Sequence, residues 1–143
     1  MRLALEQARI GETQGEVPVG AVLVGCDGTI LASAHNACLS LNDPTAHAEI
    51  LALRRAAGRL GNYRLSGTVL IVSLEPCLMC AGALVHARVD GIVYGAADPL
   101  AGAVSSCCEA LTLPFHNHAI WHMGGVAAEA CATLLRDFFL KRR

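Results

Sequence analysis

Two short patterns in the chain have the residue types of a metal site. His47-Ala48-Glu49 stands at the start of one predicted helix, and Pro76-Cys77-Leu78-Met79-Cys80 opens the next. With this chain's composition, H-x-E and P-C-x-x-C occur together by accident only about 0.003 times, so the pair is a specific signal. Cys77 and Cys80, three apart, share one helical face, and a first-turn position beside open amide N–H groups lowers a thiol's pKa toward the metal-binding thiolate. Pro76 suits the first helical position. Residues two apart on a helix point to nearly opposite sides, so His47 and Glu49 converge on one ion only if His47 lies in the irregular turn before the helix. That geometry is the expectation.

Three nitrogen and sulfur donors leave the fourth tetrahedral position of a zinc ion to water, the arrangement of a catalytic rather than a structural centre. Glu49 then has a task. A carboxylate beside the metal, but not on it, can take a proton from the bound water and hand it on. The alternative is a closed site in which Cys107, Cys108 or another cysteine is the fourth ligand, although neither lies in metal-binding spacing with the pair.

The elements that must position these residues follow from patterning. A chain of 143 residues predicts one domain, residues 1–143. At 54% hydrophobic and 16% charged it is too apolar for disorder. Residues 3–12 read as a short helix. The valine-rich run 17–24, the Asp27-Gly28 turn and residues 29–34 read as a hairpin. Asp43-Pro44 opens a predicted helix with apolar Ala46, Ile50, Leu53 and Ala57, ended by the glycines Gly58 and Gly61. Residues 69–74 form a strand, Pro76 starts a helix carrying Ala81, Leu84 and Val85, and residues 91–94 form another strand. Residues 99–113 carry no clear pattern; 120–123 predict a short strand, and Cys131, Leu134, Leu135 and Phe138 the stripe of a closing helix. Alternation of this kind implies an α/β fold with helices on both faces of one mixed sheet.

The longest apolar stretch, residues 17–26, holds Pro18 and two glycines and is about half of the ~20 residues that span a bilayer, so no membrane helix is expected. Glu6, Gln7 and Arg9 interrupt the first apolar residues before a secretory core could form. Seven cysteines cannot all pair, and thiols that serve as ligands or small core residues point to a reducing, cytoplasmic compartment. Cys26, Cys38 and Cys131 fall on apolar stretches and are expected to be buried. The formal charge of −1 gives no global attraction to nucleic acid. The basic residues nevertheless cluster, as Arg54, Arg55, Arg59 and Arg64 and again as Arg136, Lys141, Arg142 and Arg143. Each group is either a local polyanion surface or a solvated face.

H-x-E with P-C-x-x-C is itself the zinc deaminase signature, so that assignment is a match rather than a derivation. The chain further resembles the bacterial tRNA-specific adenosine deaminases, nearly end to end. The likeness runs through the segments beginning Glu16-Val17-Pro18-Val19-Gly20, His35-Asn36, Asp43-Pro44-Thr45-Ala46-His47, Asn62-Tyr63-Arg64-Leu65, Leu74-Glu75-Pro76-Cys77 and Asp137-Phe138-Phe139. The resemblance implies a three-layer α/β/α cytidine-deaminase-like fold with a five-stranded mixed sheet, and a homodimer whose subunits jointly shape each active site. It implies hydrolysis of the wobble adenosine of a tRNA anticodon to inosine. His47, Cys77 and Cys80 would bind Zn2+, with Glu49 carrying protons between the metal-bound water, the ring nitrogen and the departing amine.

Other roles carry over position by position. Asn36 matches a residue that bonds the purine edge, its amide both donating and accepting, and reads equally as a turn asparagine. Ala48 would also contact substrate. Asp98 matches a position near the sugar, where it could accept from a 2′-hydroxyl; a surface-turn aspartate before Pro99 is the other reading. One of Phe138 and Phe139 belongs to the core stripe, and the other, Phe139, could support an unstacked base. Arg142 and Arg143 resemble backbone-contacting residues. His116, His118 and His122 lie close together, yet no cysteine or carboxylate completes a second metal set.

Ala97 and Leu100 stand where the family commonly carries polar or basic residues, which weakens the expectation of phosphate contacts. Ser105-Ser106-Cys107-Cys108 replaces a glycine- and serine-rich segment. Two rival functions stay open: a deaminase of free cytosine, guanine or adenosine, and a non-catalytic domain stabilised by zinc.

Overall fold

The computed structural model describes residues 1–142. Strands β1 (Gly20–Gly25) and β2 (Ile30–His35) form the expected antiparallel hairpin. Its turn rests on Gly28, whose φ of 83° is left-handed, and on the Asp27 carboxylate, which accepts the N–H of Thr29 at 2.9 Å. Strand β3 (Thr68–Leu74) pairs antiparallel with the other side of β1, and β4 (Gly91–Ala96) and β5 (Trp121–Met123) then add in parallel. The sheet order is β2-β1-β3-β4-β5. Because β1 alone runs backwards, β2, β3 and β4 all end at the same edge of the sheet. The segments that follow them, at Asn36, Cys77 and Asp98, emerge side by side.

Helices α3 (Ala48–Leu60) and α4 (Leu78–His86) cover one face; α1 (Arg2–Thr13) and α5 (Ala128–Leu140) cover the other. A further helical turn, α2 (Cys38–Leu41), follows β2. The larger core lies under α3 and α4, where Leu23, Leu70, Val72 and Ile92 of the sheet meet Leu53 and Leu84. Burial of each such side chain contributes roughly 1.5–3 kcal/mol. A smaller cluster of Leu5, Ala96 and Cys131 closes the opposite face. This is the α/β sandwich with a five-stranded mixed sheet that the sequence implied. Among the described residues, no helix is long and apolar enough to cross a membrane.

Three local expectations are corrected. Asp43-Pro44 does not open α3; the Asp43 carboxylate accepts the N–H and hydroxyl of Thr45, closing a separate turn, and the helix starts at Ala48. Pro76 lies outside α4, because Cys77 takes the capping position in extended conformation. Cys26 is exposed in the hairpin turn and Cys38 is half-buried, whereas Cys131 is buried.

The first arginine group has a structural use. Arg55 donates to the carbonyl of Ser33 at 2.6 Å, and Arg59 to those of Ile30 at 3.0 Å and Leu31 at 3.2 Å, so both cover the edge strand β2. Arg54 pairs with Asp43 at 3.5 Å and Arg64 bonds the Tyr63 hydroxyl.

Helix α1 lies so close to the start of β1 that a Cβ on Gly20 would fall on the carbonyl oxygen of Ala4 and the amide of Ala8. Both are backbone atoms and cannot swing aside. Gly20→Ala is therefore expected to destabilise the fold by about 3 kcal/mol or more, measured as a fall in the denaturant midpoint. An unchanged midpoint would contradict this packing.

Candidate active site

His47 caps α3 with extended backbone angles (φ −71°, ψ 153°), the irregular turn that convergence with Glu49 required. Cys77 caps α4 in the same conformation (φ −75°, ψ 173°), and Cys80 is buried one turn into that helix. Two helix N-termini thus face each other across one point, and their open N–H groups and dipoles favour negative charge there. The Nδ1 of His47 lies 3.7 Å from the Cys77 sulfur and 3.5 Å from the Cys80 sulfur, and the three donor atoms fall within 4.8 Å of one another. Tetrahedral ligands at about 2.1 Å (nitrogen) and 2.3 Å (sulfur) stand roughly 3.5 Å apart, so the set fits one metal ion. It is the single group of this kind among the described residues. Cys107 and Cys108 are exposed, and the Cys107 sulfur bonds the carbonyl of Pro99 at 3.3 Å, so neither completes a closed site.

Without metal, the two sulfurs and the imidazole form one coupled group. Hydrogen bonds from Cys80 and then His47 hold Cys77 down at about 4. Its bond to Cys77, and then burial, push Cys80 up. His47 is raised chiefly by the Cys77 sulfur, against burial. Glu49 is buried beside this group, and burial raises its carboxyl. Its Oε2 has no hydrogen-bond partner among the described residues. A buried orphan oxygen beside an open ligand position suits a group that receives a proton from a bound water.

His47, Glu49 and Cys77 line a cavity of about 490 Å3, with Asn36, Asp98 and Arg142 also in its wall. The Asn36 amide oxygen accepts the Ala48 N–H at 2.9 Å. Its NH2 is left to donate, and the oxygen keeps a second lone pair with which to accept, so the amide can still do both. Ala48, fully buried and with its N–H engaged, is not part of the wall. The Oδ1 of Asp98 accepts the N–H groups of Leu100 at 3.0 Å and Ala101 at 3.2 Å; no described residue donates to its Oδ2. Phe138 is buried and Phe139 is 52% exposed, the division expected, but Phe139 lies outside the cavity wall. Arg142 stacks on Phe138 at 4.2 Å and donates to the Gly15 carbonyl at 2.6 Å. Arg143 lies outside the described residues. His116 and His118 bond the carbonyls of Ala110 and Val89, and no second metal set forms among the described residues.

Two buried acids beside the site, Glu16 and Glu75, have no role assigned from the sequence. Glu16 accepts the N–H groups of Ser40 at 2.8 Å and Leu39 at 3.2 Å, fixing α2 at the cavity wall. Glu75 accepts the N–H groups of Asp98, Val104, Ser105 and Ser106 and the Ser106 hydroxyl. Burial alone would raise its carboxyl, but the Ser106 hydroxyl and these amides outweigh it and hold the group at about 2. For Glu75 the signal in the sequence is an acid in an apolar run with no nearby base.

A His-Cys-Cys centre with a buried proton-accepting carboxylate, on a layered α/β sheet, is the equipment of a metal-dependent hydrolytic deaminase. Residues 1–96 match the model of the cytidine and deoxycytidylate deaminase zinc-binding region, and the chain belongs to that family. It is 47% identical to a tRNA-specific adenosine deaminase of Haemophilus influenzae over its full length and 83% of that protein. It superposes with a TM-score of 0.91, at 46% identity, on a structure from a study of A-to-I editing by tRNA:A34 deaminases at the wobble position; the match covers 94% of this chain and 97% of that one. A guanine deaminase of Nitrosomonas europaea is more distant, with a TM-score of 0.77 at 26% identity over 94% of this chain and 80% of that one.

The Glu16 carboxyl is subject to burial, which raises it, but the amides of Ser40 and Leu39 win and hold it below its ordinary 4.5. A depressed carboxyl stabilises the fold fully above pH 4.5 and loses that contribution as pH falls further. Glu16→Gln should lower stability by about 2 kcal/mol at pH 7. The stability gap between parent and variant is expected to narrow progressively as pH falls below 4.5. A gap that stays constant down to pH 3 would show that the charge contributes nothing.

Proposed function

We propose that this protein hydrolyses the wobble adenosine of a tRNA anticodon to inosine, as a homodimer in the cytoplasm, with residues 1–143 forming one zinc-dependent deaminase domain. The observation that carries the reading is the unpartnered, buried Glu49 oxygen beside three metal donors, in a cavity large enough for a purine. The relatives named above support the choice of tRNA over other substrates.

His47, Cys77 and Cys80 would hold Zn2+, which would make a water acidic enough to act as nucleophile near neutral pH. Glu49 accepts a proton from the attacking water and delivers it to the ring nitrogen beside the carbon that bears the amine. It then relays the second proton to the leaving amine, so adenosine and water give inosine and ammonia. Its raised carboxyl helps it to serve as acid as well as base. The Asn36 NH2 donates to the purine N7, and the open Oδ2 of Asp98 accepts from the 2′-hydroxyl. Phe139 offers its exposed ring to an unstacked neighbouring base, and Arg142 faces the strand at the cavity rim.

The homodimer is supported by a second concavity of about 500 Å3 between α3 and α4, with Ile50, Leu53, Tyr63 and Met79 in its wall. Tyr63 is 66% exposed in one copy, an apolar surface that a second copy would cover. Free thiols on all seven cysteines suit a reducing cytoplasm.

Glu49→Gln is expected to keep one zinc per chain by elemental analysis and to lose about 10³-fold or more in inosine formation on an anticodon stem-loop. Chelation should abolish the parent's turnover, and added zinc restore it. Deamination of free guanine, cytosine or adenosine, with none on the stem-loop, would overturn the RNA reading in favour of a free-base enzyme.

A further inference from the structure

The loop of residues 98–106 carries Asp98 into the cavity and wraps a single carboxylate. The Oε1 of Glu75 accepts the N–H groups of Val104 at 3.1 Å, Ser105 at 2.7 Å and Ser106 at 2.9 Å. Its Oε2 accepts the N–H of Asp98 at 3.0 Å and the Ser106 hydroxyl. The two oxygens therefore have different duties. One holds the far end of the loop, and the other holds Asp98 itself. The wrapping is tight: a Cβ on Gly102 would fall on the Glu75 carboxylate and on the Asp98 carbonyl oxygen. The same loop is pinned to the metal-ligand segment, where Ala103 donates to Pro76 at 2.8 Å and Gly102 bridges to Cys77. Glu75 emerges from β3 two residues before Cys77, so the carboxylate links the sugar-facing aspartate to the segment that carries a metal donor.

We propose that Glu75 is a positioning residue which sets the preference for ribose over deoxyribose at the target nucleotide, acting through Asp98. This rests on the reading of Asp98 as the acceptor of the 2′-hydroxyl. Asp98 has a single oxygen left to accept that hydroxyl, because Oδ1 serves Leu100 and Ala101. A hydrogen bond weakens steeply with distance and angle, so the backbone of Asp98 must be fixed for its Oδ2 to read a 2′-hydroxyl. The N–H bond to Glu75 is the one contact in which a carboxylate from another element fixes that backbone.

Glu75→Gln isolates this duty. A glutamine oxygen can keep the three amides at the Oε1 position, but its NH2 then confronts the N–H of Asp98, donor against donor. The Ser106 hydroxyl can turn to accept, while the amide of Asp98 cannot. The variant should thus release the Asp98 end of the loop and retain the other.

The test compares two anticodon stem-loops that differ solely in ribose or 2′-deoxyribose at the target adenosine. The ratio of kcat/KM values is read for the zinc-loaded parent and variants, with zinc content checked by elemental analysis. The parent favours ribose, and Glu75→Gln lowers that ratio about tenfold, in line with loss of one hydrogen bond to a charged group. On the ribose substrate KM rises more than kcat falls. Should Glu75→Gln not fold, Ser106→Ala, at an exposed position, removes just the hydroxyl from Oε2 and is expected to lower the ratio about two- to threefold. Equal losses on both sugars, leaving the ratio intact in whichever variants fold, would overturn the proposal. Asp98→Asn in the same assay keeps two failures apart. If that variant leaves the ratio unchanged, the sugar reading falls and the proposal with it; if it lowers the ratio while Glu75→Gln does not, the positioning role alone is refuted.

Discussion

Everything near the cavity answers to one requirement: an imidazole nitrogen and two sulfurs, from segments thirty residues apart, must approach within about 4 Å in a protein otherwise packed with aliphatic side chains. Three such donors repel or compete for one proton unless an ion or shared hydrogen bonds hold them. The fold meets this by ending β3 at Leu74, before Cys77, and by starting α3 only at Ala48, after His47. His47 and Cys77 both sit at helix caps in extended conformation, so their side chains turn inward from helices that approach end to end. The reversal of β1 follows from the same need, since it lets β2, β3 and β4 deliver Asn36, Cys77 and Asp98 to a common rim.

Three buried glutamates show how environment divides identical groups among different tasks. Among the described residues none of them forms a salt bridge, and burying a carboxylate without compensation is costly. Glu16 and Glu75 are compensated by backbone N–H groups, stay ionised and serve as fixed anchors for the cavity walls. Glu49 is left with an empty oxygen and a raised carboxyl. The anchors hold because their charge is satisfied, and Glu49 can react because its own is not.

The sequence made the donors and the sheet legible for different reasons. His47, Cys77 and Cys80 were readable because few side chains bind soft metals and their spacing is restrictive. The strands were readable because a strand buried on both faces reads as a nearly continuous aliphatic run, as residues 69–74 do. Helix starts were not, because periodicity reports the interior of a helix whereas its first residue depends on side-chain bonds such as Asp43 to Thr45. Arg55 and Arg59 read either as a polyanion surface or as a solvated face, and strand order reveals that they cover an edge. Ala48 looked available to a ligand until its amide was found on Asn36. For the arginines and for Ala48 the missing information was the identity of a partner distant in sequence, which spacing along the chain does not encode.

The electrostatics of the surface then constrain how RNA could be held. Phosphate neutralisation needs cations that are free to approach a backbone. Here Arg54, Arg55 and Arg59 are bound to the protein, Lys141 pairs with Glu12 at 3.1 Å, and Arg142 is stacked and hydrogen-bonded in place. Leu100, 91% exposed beside Asp98, brings no charge to the rim. In the proposed reading recognition would therefore lean on groups that meet a base and its sugar, namely the Asn36 amide, the open Asp98 oxygen and the exposed Phe139 ring. Such contacts operate only on a nucleotide splayed out of its stack, which favours a loop over a duplex as the natural shape of the substrate.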